Sequence, residues 1–148
     1  MKILVAVFLV LVVVGTAAAG CPDGWTQFLD LCYIYQSAKA SWASAQSSCQ
    51  ALGGILAEPD TACENEVLIH MCKENGDAGS FGPWLGGQKV GGAWQWSSSG
   101  AAFDYLRWGP HEPNNSGGNE DCLHYNWLSW NDLRCHYQAS YLCQRAAE

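Results

Sequence analysis

The chain has 148 residues and a formal net charge of −7, from 7 Lys and Arg against 14 Asp and Glu. That length predicts a single domain. The acidic balance excludes nucleic acid and anionic membrane as natural partners, because both are gripped by basic patches.

Residues 1–20 differ from the rest. Lys2 precedes an apolar run from Ile3 to Val14, and Gly15-Thr16-Ala17-Ala18-Ala19-Gly20 follows. A positive start, a short apolar core and small residues describe a secretory signal peptide, cut after Ala19 or Gly20. The run is shorter than the about 20 residues of a membrane span. The mature chain, residues 21–148, is expected to be one secreted, soluble domain with no membrane insertion. Its cysteines are Cys21, Cys32, Cys49, Cys63, Cys72, Cys122, Cys135 and Cys143. Eight of them in a small exported chain argue for disulfides. Zinc would be the competing use. However, no Cys-x-x-Cys occurs, and His70, His111, His124 and His136 lack zinc-like spacing, so each reads as a surface or internally satisfied residue.

Gly24 to Phe28 and Tyr33 to Tyr35 read as two short strands. Ala38, Trp42, Ala45, Cys49 and Leu52 then recur at spacings of four and three, the signature of one helix face. Ser37 is the expected N-cap and Gly53-Gly54 the stop. A second helix begins near Thr61, where Thr61-x-x-Glu64 has the form of a capping box. Val67, Leu68 and Met71 continue its face, and Asn75-Gly76 ends it. From about 79 to 120 the chain is rich in Gly, Ser, Pro, Asn and Trp, with strand-like fragments only at Trp84-Leu85-Gly86 and Trp94-Gln95-Trp96. So long an irregular stretch reads as a functional loop region, and its aromatic residues argue against disorder. Strands resume at Cys122 to Tyr125 and at Ala139 to Gln144. The expected fold is α+β: two helices, antiparallel sheets and one long loop region held by disulfides and metal.

Five oxygen-bearing side chains crowd the last third of the chain: Glu112, Asn114, Glu120, Asn131 and Asp132. Carboxylates and amide carbonyls are hard donors, and calcium takes six to eight such oxygens at about 2.3–2.6 Å. The motifs that carry them are Glu112-Pro113-Asn114 and Trp130-Asn131-Asp132. Together with Trp84-Leu85-Gly86-Gly87, and framed by Cys21 and Cys143, they resemble a C-type lectin domain of the long form. The resemblance implies disulfides Cys21–Cys32, Cys49–Cys143 and Cys122–Cys135, a selection out of 105 pairings that the cysteine count alone leaves open. It also implies that Glu112, Asn114, Glu120, Asn131 and Asp132 bind calcium, with a cis bond before Pro113 turning its neighbours toward the metal. The same residues would bind sugar, and Glu-Pro-Asn implies mannose-type ligands (mannose, fucose, N-acetylglucosamine) over galactose.

Some details depart from the family pattern. Gln88-Lys89-Val90-Gly91-Gly92 carries no acid for an auxiliary metal, and Asn115 stands where the pattern has Asp, so one calcium is expected. Asn114-Asn115-Ser116 is a glycosylation sequon, expected to stay unmodified because a glycan there would block a ligand. Cys63 and Cys72 both fall in the second helix, about 13 Å apart along its axis. A disulfide needs Cα atoms within about 7 Å. They are therefore expected either as free thiols or in an interchain link, and the latter would make a disulfide-linked dimer. No nucleophile with a placed base points to an enzyme. Recognition of microbial surface polysaccharide in innate immunity is the natural role for such a lectin. The rival is a structural or mineral-associated calcium-binding protein of the same fold that binds no sugar.

Overall fold

The computed structural model describes residues 20–148. All of the expected signal peptide except Gly20 lies outside the described residues. Among these, no helix is long and apolar enough to cross a membrane.

The chain opens with a hairpin of β1 (Thr26–Phe28) and β2 (Leu31–Ala40). The first helix, α1, is Trp42–Ala51. It starts four residues later than the sequence pattern suggests, and Ser41, not Ser37, is its cap, accepting from Ser44 N. The reason is tertiary. Ala40 still pairs with Ala139 of the last strand, and Trp42 N–H donates to Cys135 O, so the sheet claims Ala38 before the helix can. Trp42, Ala45 and Cys49 face inward, whereas Leu52 is exposed as the C-cap residue.

After β3 (Ile55–Leu56), α2 runs Ala62–Glu74. Its capping box forms in full: Thr61 Oγ1 accepts from Glu64 N, and Glu64 Oε2 accepts from Thr61 N. β4 (Trp84–Val90) and β5 (Ala93–Trp96) follow as a hairpin, so part of the stretch read as irregular is regular sheet. The fold closes with β6 (Cys122–Asn126), β7 (Ser129–Leu133) and β8 (Ala139–Ala146).

The sheet order is β1-β2-β8-β4-β6-β7, with β3 added on β8 and β5 on β4. It is antiparallel except where Trp84 meets Tyr141 in parallel, a correction to the all-antiparallel expectation. Gly86 and Gly87 let β4 lie inside this stack. A Cβ on Gly86 would sit 2.8 Å from Leu56 O, and one on Gly87 2.7 Å from Leu123 Cδ2. The core has two parts. One gathers Leu68, Leu85, Trp96, Leu123, Tyr125 and Trp130. The other gathers Trp42, Leu56, Trp84 and the half-cystines Cys49, Cys122 and Cys143. Its two indoles are satisfied, Trp42 by Leu85 O and Trp84 by Ala40 O, both at 2.8 Å.

Disulfides join Cys21 to Cys32, Cys49 to Cys143 and Cys122 to Cys135. The second closes a sequence separation of 94. A loop of that size removes about 4–5 kcal/mol of unfolded-chain entropy. Cys63 and Cys72 stay unpaired on a continuous α2. Cys72 is fully buried, with its thiol pushed up to about 12 by burial, which leaves Cys63 as the one sulfur of the pair that a second chain could reach.

Thr61→Ala removes one half of the capping box. Urea denaturation should show a loss of about 1 kcal/mol, the usual cost of an N-cap hydroxyl.

Candidate functional site

The site is built on β7 and on the segment that precedes β6. Trp130, fully buried on β7, anchors it. Its indole N–H donates to Asn65 Oδ1 of α2 at 3.0 Å, and Tyr125 O–H donates to the same oxygen at 2.7 Å. Trp96, Phe103, Tyr105 and Trp108 meet the Trp130 ring edge to face, with centroids 5.4 to 5.9 Å away. Such pairs are favourable beyond the area they bury. The backbone joins in, since Trp130 N–H donates to Arg107 O and Gly109 N–H donates to Trp130 O. Aromatic packing therefore orders the long loop region, with the Cys122–Cys135 disulfide bracing its far end.

The next two residues of β7 are Asn131 and Asp132. The β6–β7 register sets His124 opposite Asn131. His124 is fully buried, and burial lowers its pKa to about 4, so it is neutral at pH 7. The tautomer that places its proton on Nδ1, toward Gly82 O, leaves Nε2 to accept from Asn131 Nδ2 at 2.9 Å. Asn131 Nδ2 also donates to Asp132 O at 2.7 Å. The amide nitrogen is thus anchored and Oδ1 remains available. His124, which the sequence offers only as a surface or internally satisfied histidine, is satisfied and positions Asn131. Hairpin register was the signal, and it was hidden because Trp127-Leu128 does not look like a turn.

Opposite β7, three successive backbone N–H groups converge on the acids. Asn114 N donates to Glu112 Oε2 at 3.0 Å and to Asp132 Oδ1 at 3.1 Å. Asn115 N donates to Asp132 Oδ2 at 2.7 Å, and Ser116 N to Glu120 Oε2 at 2.8 Å. Asn115 adopts the left-handed conformation, φ 49°, that turns such a run of N–H groups inward as an anion-holding nest. Asn114 follows a cis peptide bond between Glu112 and Pro113. Its Nδ2 donates to Glu112 Oε1, and its Oδ1 accepts from Ser116 N.

Glu112, Asn114, Glu120 and Asn131 line one open cleft of about 390 Å³. Asp132 does not line it; it is fully buried behind, with both carboxylate oxygens taking backbone N–H groups. Burial comes first in holding the Glu112 carboxyl above its usual range, followed by contact with the Asp132 carboxylate and its charge. Glu120 is also raised, by burial and then by Asp132, against the opposing pull of Ser116 N–H, Arg134 and Lys89. Among the described residues, no three His, Cys, Asp or Glu side chains form a metal group on their own. A cation here would have to draw on the amides of Asn114 and Asn131 as well. With them, the donors are all hard oxygens, and the crowded carboxylates lack a neutralising partner at Glu112, so the set fits a hard cation.

Two aromatic residues also line the cleft. Phe81 and Tyr137 stack there at 5.8 Å and both are exposed. Lys89 lies on the far side of the acid loop, its ammonium bonded to Asn115 Oδ1, Glu120 O and Asp121.

Residues 38–145 match the Lectin C-type domain. The chain is 38% identical over 121 residues to ladderlectin of Oncorhynchus mykiss, covering 78% of this chain and 62% of that protein, which is less than two thirds of the relative's length. It is 34% identical over 132 residues to lactose-binding lectin l-2 of Anguilla japonica, covering 83% and 76%. Among solved structures, the cow C-type carbohydrate-recognition domain of CD23, determined in the presence of a GlcNAc2Man3 oligosaccharide, superposes with a TM-score of 0.78 at 27% identity, covering 88% of this chain and 99% of that one. A calcium-independent type II antifreeze protein superposes at 0.76 with 28% identity, covering 89% and 98%.

Asn65 ties α2 to the strand that carries the site. Asn65→Ala would leave the Tyr125 hydroxyl and the Trp130 indole N–H unpaired in the core. Two orphaned donors should cost roughly 3 kcal/mol in denaturant unfolding.

Proposed function

Because the chain belongs to the C-type lectin domain family, whose members are binding domains rather than enzymes, we propose that it is a secreted, calcium-dependent lectin with a preference for mannose-type sugars. Residues 1–20 would be its signal peptide and 21–148 its binding domain. The observation that carries this reading is the convergence of Glu112, Asn114, Glu120 and Asn131 on one cleft, with the Glu112 carboxyl pressed against that of Asp132.

Glu112, Asn114, Glu120, Asn131 and Asp132 would hold one calcium ion. When bound, it would neutralise the crowded acids and offer open positions to two adjacent sugar hydroxyls. The chain's own groups then set the selectivity. An ionised carboxylate only accepts hydrogen bonds, whereas an amide also donates. Glu112 and Glu120 would accept from the sugar hydroxyls, the Asn114 amide would donate to a hydroxyl oxygen, and Asn131, its N–H groups held by His124 and Asp132, would offer only its Oδ1 to the cation. The order Glu112 before Asn114 favours the mannose arrangement.

A single metal is supported by Lys89. Its ammonium, bonded to Asn115, Glu120 and Asp121, puts a fixed positive charge beside the acid loop. The sequon at Asn114 would stay unmodified, since that side chain is turned into the acid cluster. Microbial surface polysaccharide is the proposed target. Any covalent dimer would run through Cys63.

Two observations favour other readings. Relatives named lactose-binding lectin l-2 and galactose-specific lectin nattectin are 34% and 31% identical to this chain, which supports a galactose preference. The likeness to a calcium-independent type II antifreeze protein supports a use of the fold without calcium.

Binding to immobilised mannan should disappear in chelator and return with calcium. Affinity for free mannose should be about millimolar, near −4 kcal/mol. Mannan binding that persists in chelator would overturn the mechanism. The double substitution Glu112→Gln with Asn114→Asp should reverse the preference, so that galactose becomes a better competitor than mannose in a glycan array.

A further inference from the structure

The β6–β7 connection is a two-residue hairpin turn. Asn126 pairs with Ser129, so Trp127 and Leu128 form the turn by themselves. Both have positive φ, 49° and 62°. Tight hairpin turns of this hand favour Asn-Gly, because a side chain with a Cβ is disfavoured in the left-handed region. Leu128 has a local reason to be there, since it packs against the core. Trp127 has none, for its side chain is 71% exposed. Its backbone N–H donates to Gly79 O at 2.9 Å, which fixes the turn against the segment that leads into β4. The chain therefore holds a large apolar ring out in water on a backbone that a glycine would adopt more easily. Strain and exposure kept together at one residue are a pointer to binding.

The location of the ring says what it would bind. Trp127 lines a groove of about 150 Å³ with Gly109, Pro110, Glu112, Asn126 and Asn131. Glu112, Asn126 and Asn131 also line the larger cleft, so the two hollows lie against the same three residues. Among the described residues the Asn126 side chain makes no hydrogen bond, and its Oδ1 is buried without a partner. The shared edge thus carries an uncommitted amide N–H₂ group and an exposed indole that lines the groove.

We propose that Trp127 and Asn126 form a second sugar subsite, which seats the pyranose next to the one held at Glu112 and Asn131. This rests on the lectin reading. A pyranose has an apolar C–H face that suits the negative face of an indole, and hydroxyl oxygens at its edge that can accept from the Asn126 amide N–H groups. Engaging a second ring of one chain raises affinity for oligosaccharide without changing the affinity for a single sugar.

The test is calorimetric titration in calcium with methyl α-mannoside and with branched trimannoside, on the wild type and on Trp127→Gly and Trp127→Phe. Trp127→Gly should fold with a thermal midpoint no lower than wild type, because glycine relaxes the turn. It should bind the monosaccharide within about twofold of wild type, but lose roughly fivefold or more in trimannoside affinity, about 1 kcal/mol. Trp127→Phe should keep most of that affinity. The subsite is overturned if wild type binds trimannoside no better than the monosaccharide, if Trp127→Gly keeps the full gain, or if it loses both ligands equally. A wild type that binds neither mannoside in calcium would instead sink the mannose-type reading, and the subsite with it.

Discussion

Everything at the binding face depends on how Trp130 is held. Its indole N–H shares one amide oxygen, Asn65 Oδ1, with the Tyr125 hydroxyl, which ties α2 to two strands of the sheet. Four further rings, from Trp96, Phe103, Tyr105 and Trp108, close around it edge to face. Two of those strands' neighbours are loop segments with little regular structure of their own. They gain their order from this ring cluster, because packing a large aromatic offsets the entropy of fixing an irregular backbone. Asn131 and Asp132 come directly after Trp130 on the same strand. Fixing the ring therefore fixes the start of the site.

The site itself is a managed electrostatic conflict. The Asp132 carboxylate raises both Glu112 and Glu120, and Glu120 adds to the raise at Glu112. Like charges so near, partly out of water, would ordinarily be costly. Three consecutive N–H groups from Asn114 to Ser116 offset part of that cost, and Lys89 adds a positive charge on the outer side of the loop. Glu120 is drawn down by Arg134 and Lys89, whereas Glu112 has no such basic partner. Such an arrangement costs local stability, and that cost is what a bound cation would relieve in the proposed function. The turn at Trp127 carries a cost in the backbone and not in charge: a strained conformation and an exposed indole are both retained beside the cleft.

Much of this was legible from local sequence, and the failures share one cause. The second helix was readable to its caps because Thr61 and Glu64 satisfy each other within one turn. The first helix was placed four residues early, since Ala38 and Ser37 fit a helix until Ala40 is claimed by Ala139, about a hundred positions away in the chain. β7 was missed as a strand. Asn and Asp are poor strand formers, and Ser129–Leu133 becomes one only through pairing with β6. His124 was set aside as a satisfied histidine. It is one, and its satisfaction is what orients Asn131.

The sequence by itself determined the chemistry available: hard oxygens in the last third of the chain, a glutamate before an asparagine across Pro113, an even set of cysteines, and no acid after Trp84-Leu85-Gly86-Gly87. These are properties of residue types and short spacings, and they survive without a fold. Only the tertiary structure decided which groups share a space. It set Asp132 behind the cleft and not in its wall, placed Lys89 against Glu120, left Cys63 outside and Cys72 inside, and put Trp127 beside a groove that Glu112 also lines. Each of these follows from strand register and core packing between distant segments, and a contact between residues far apart in the chain has no local signature to read.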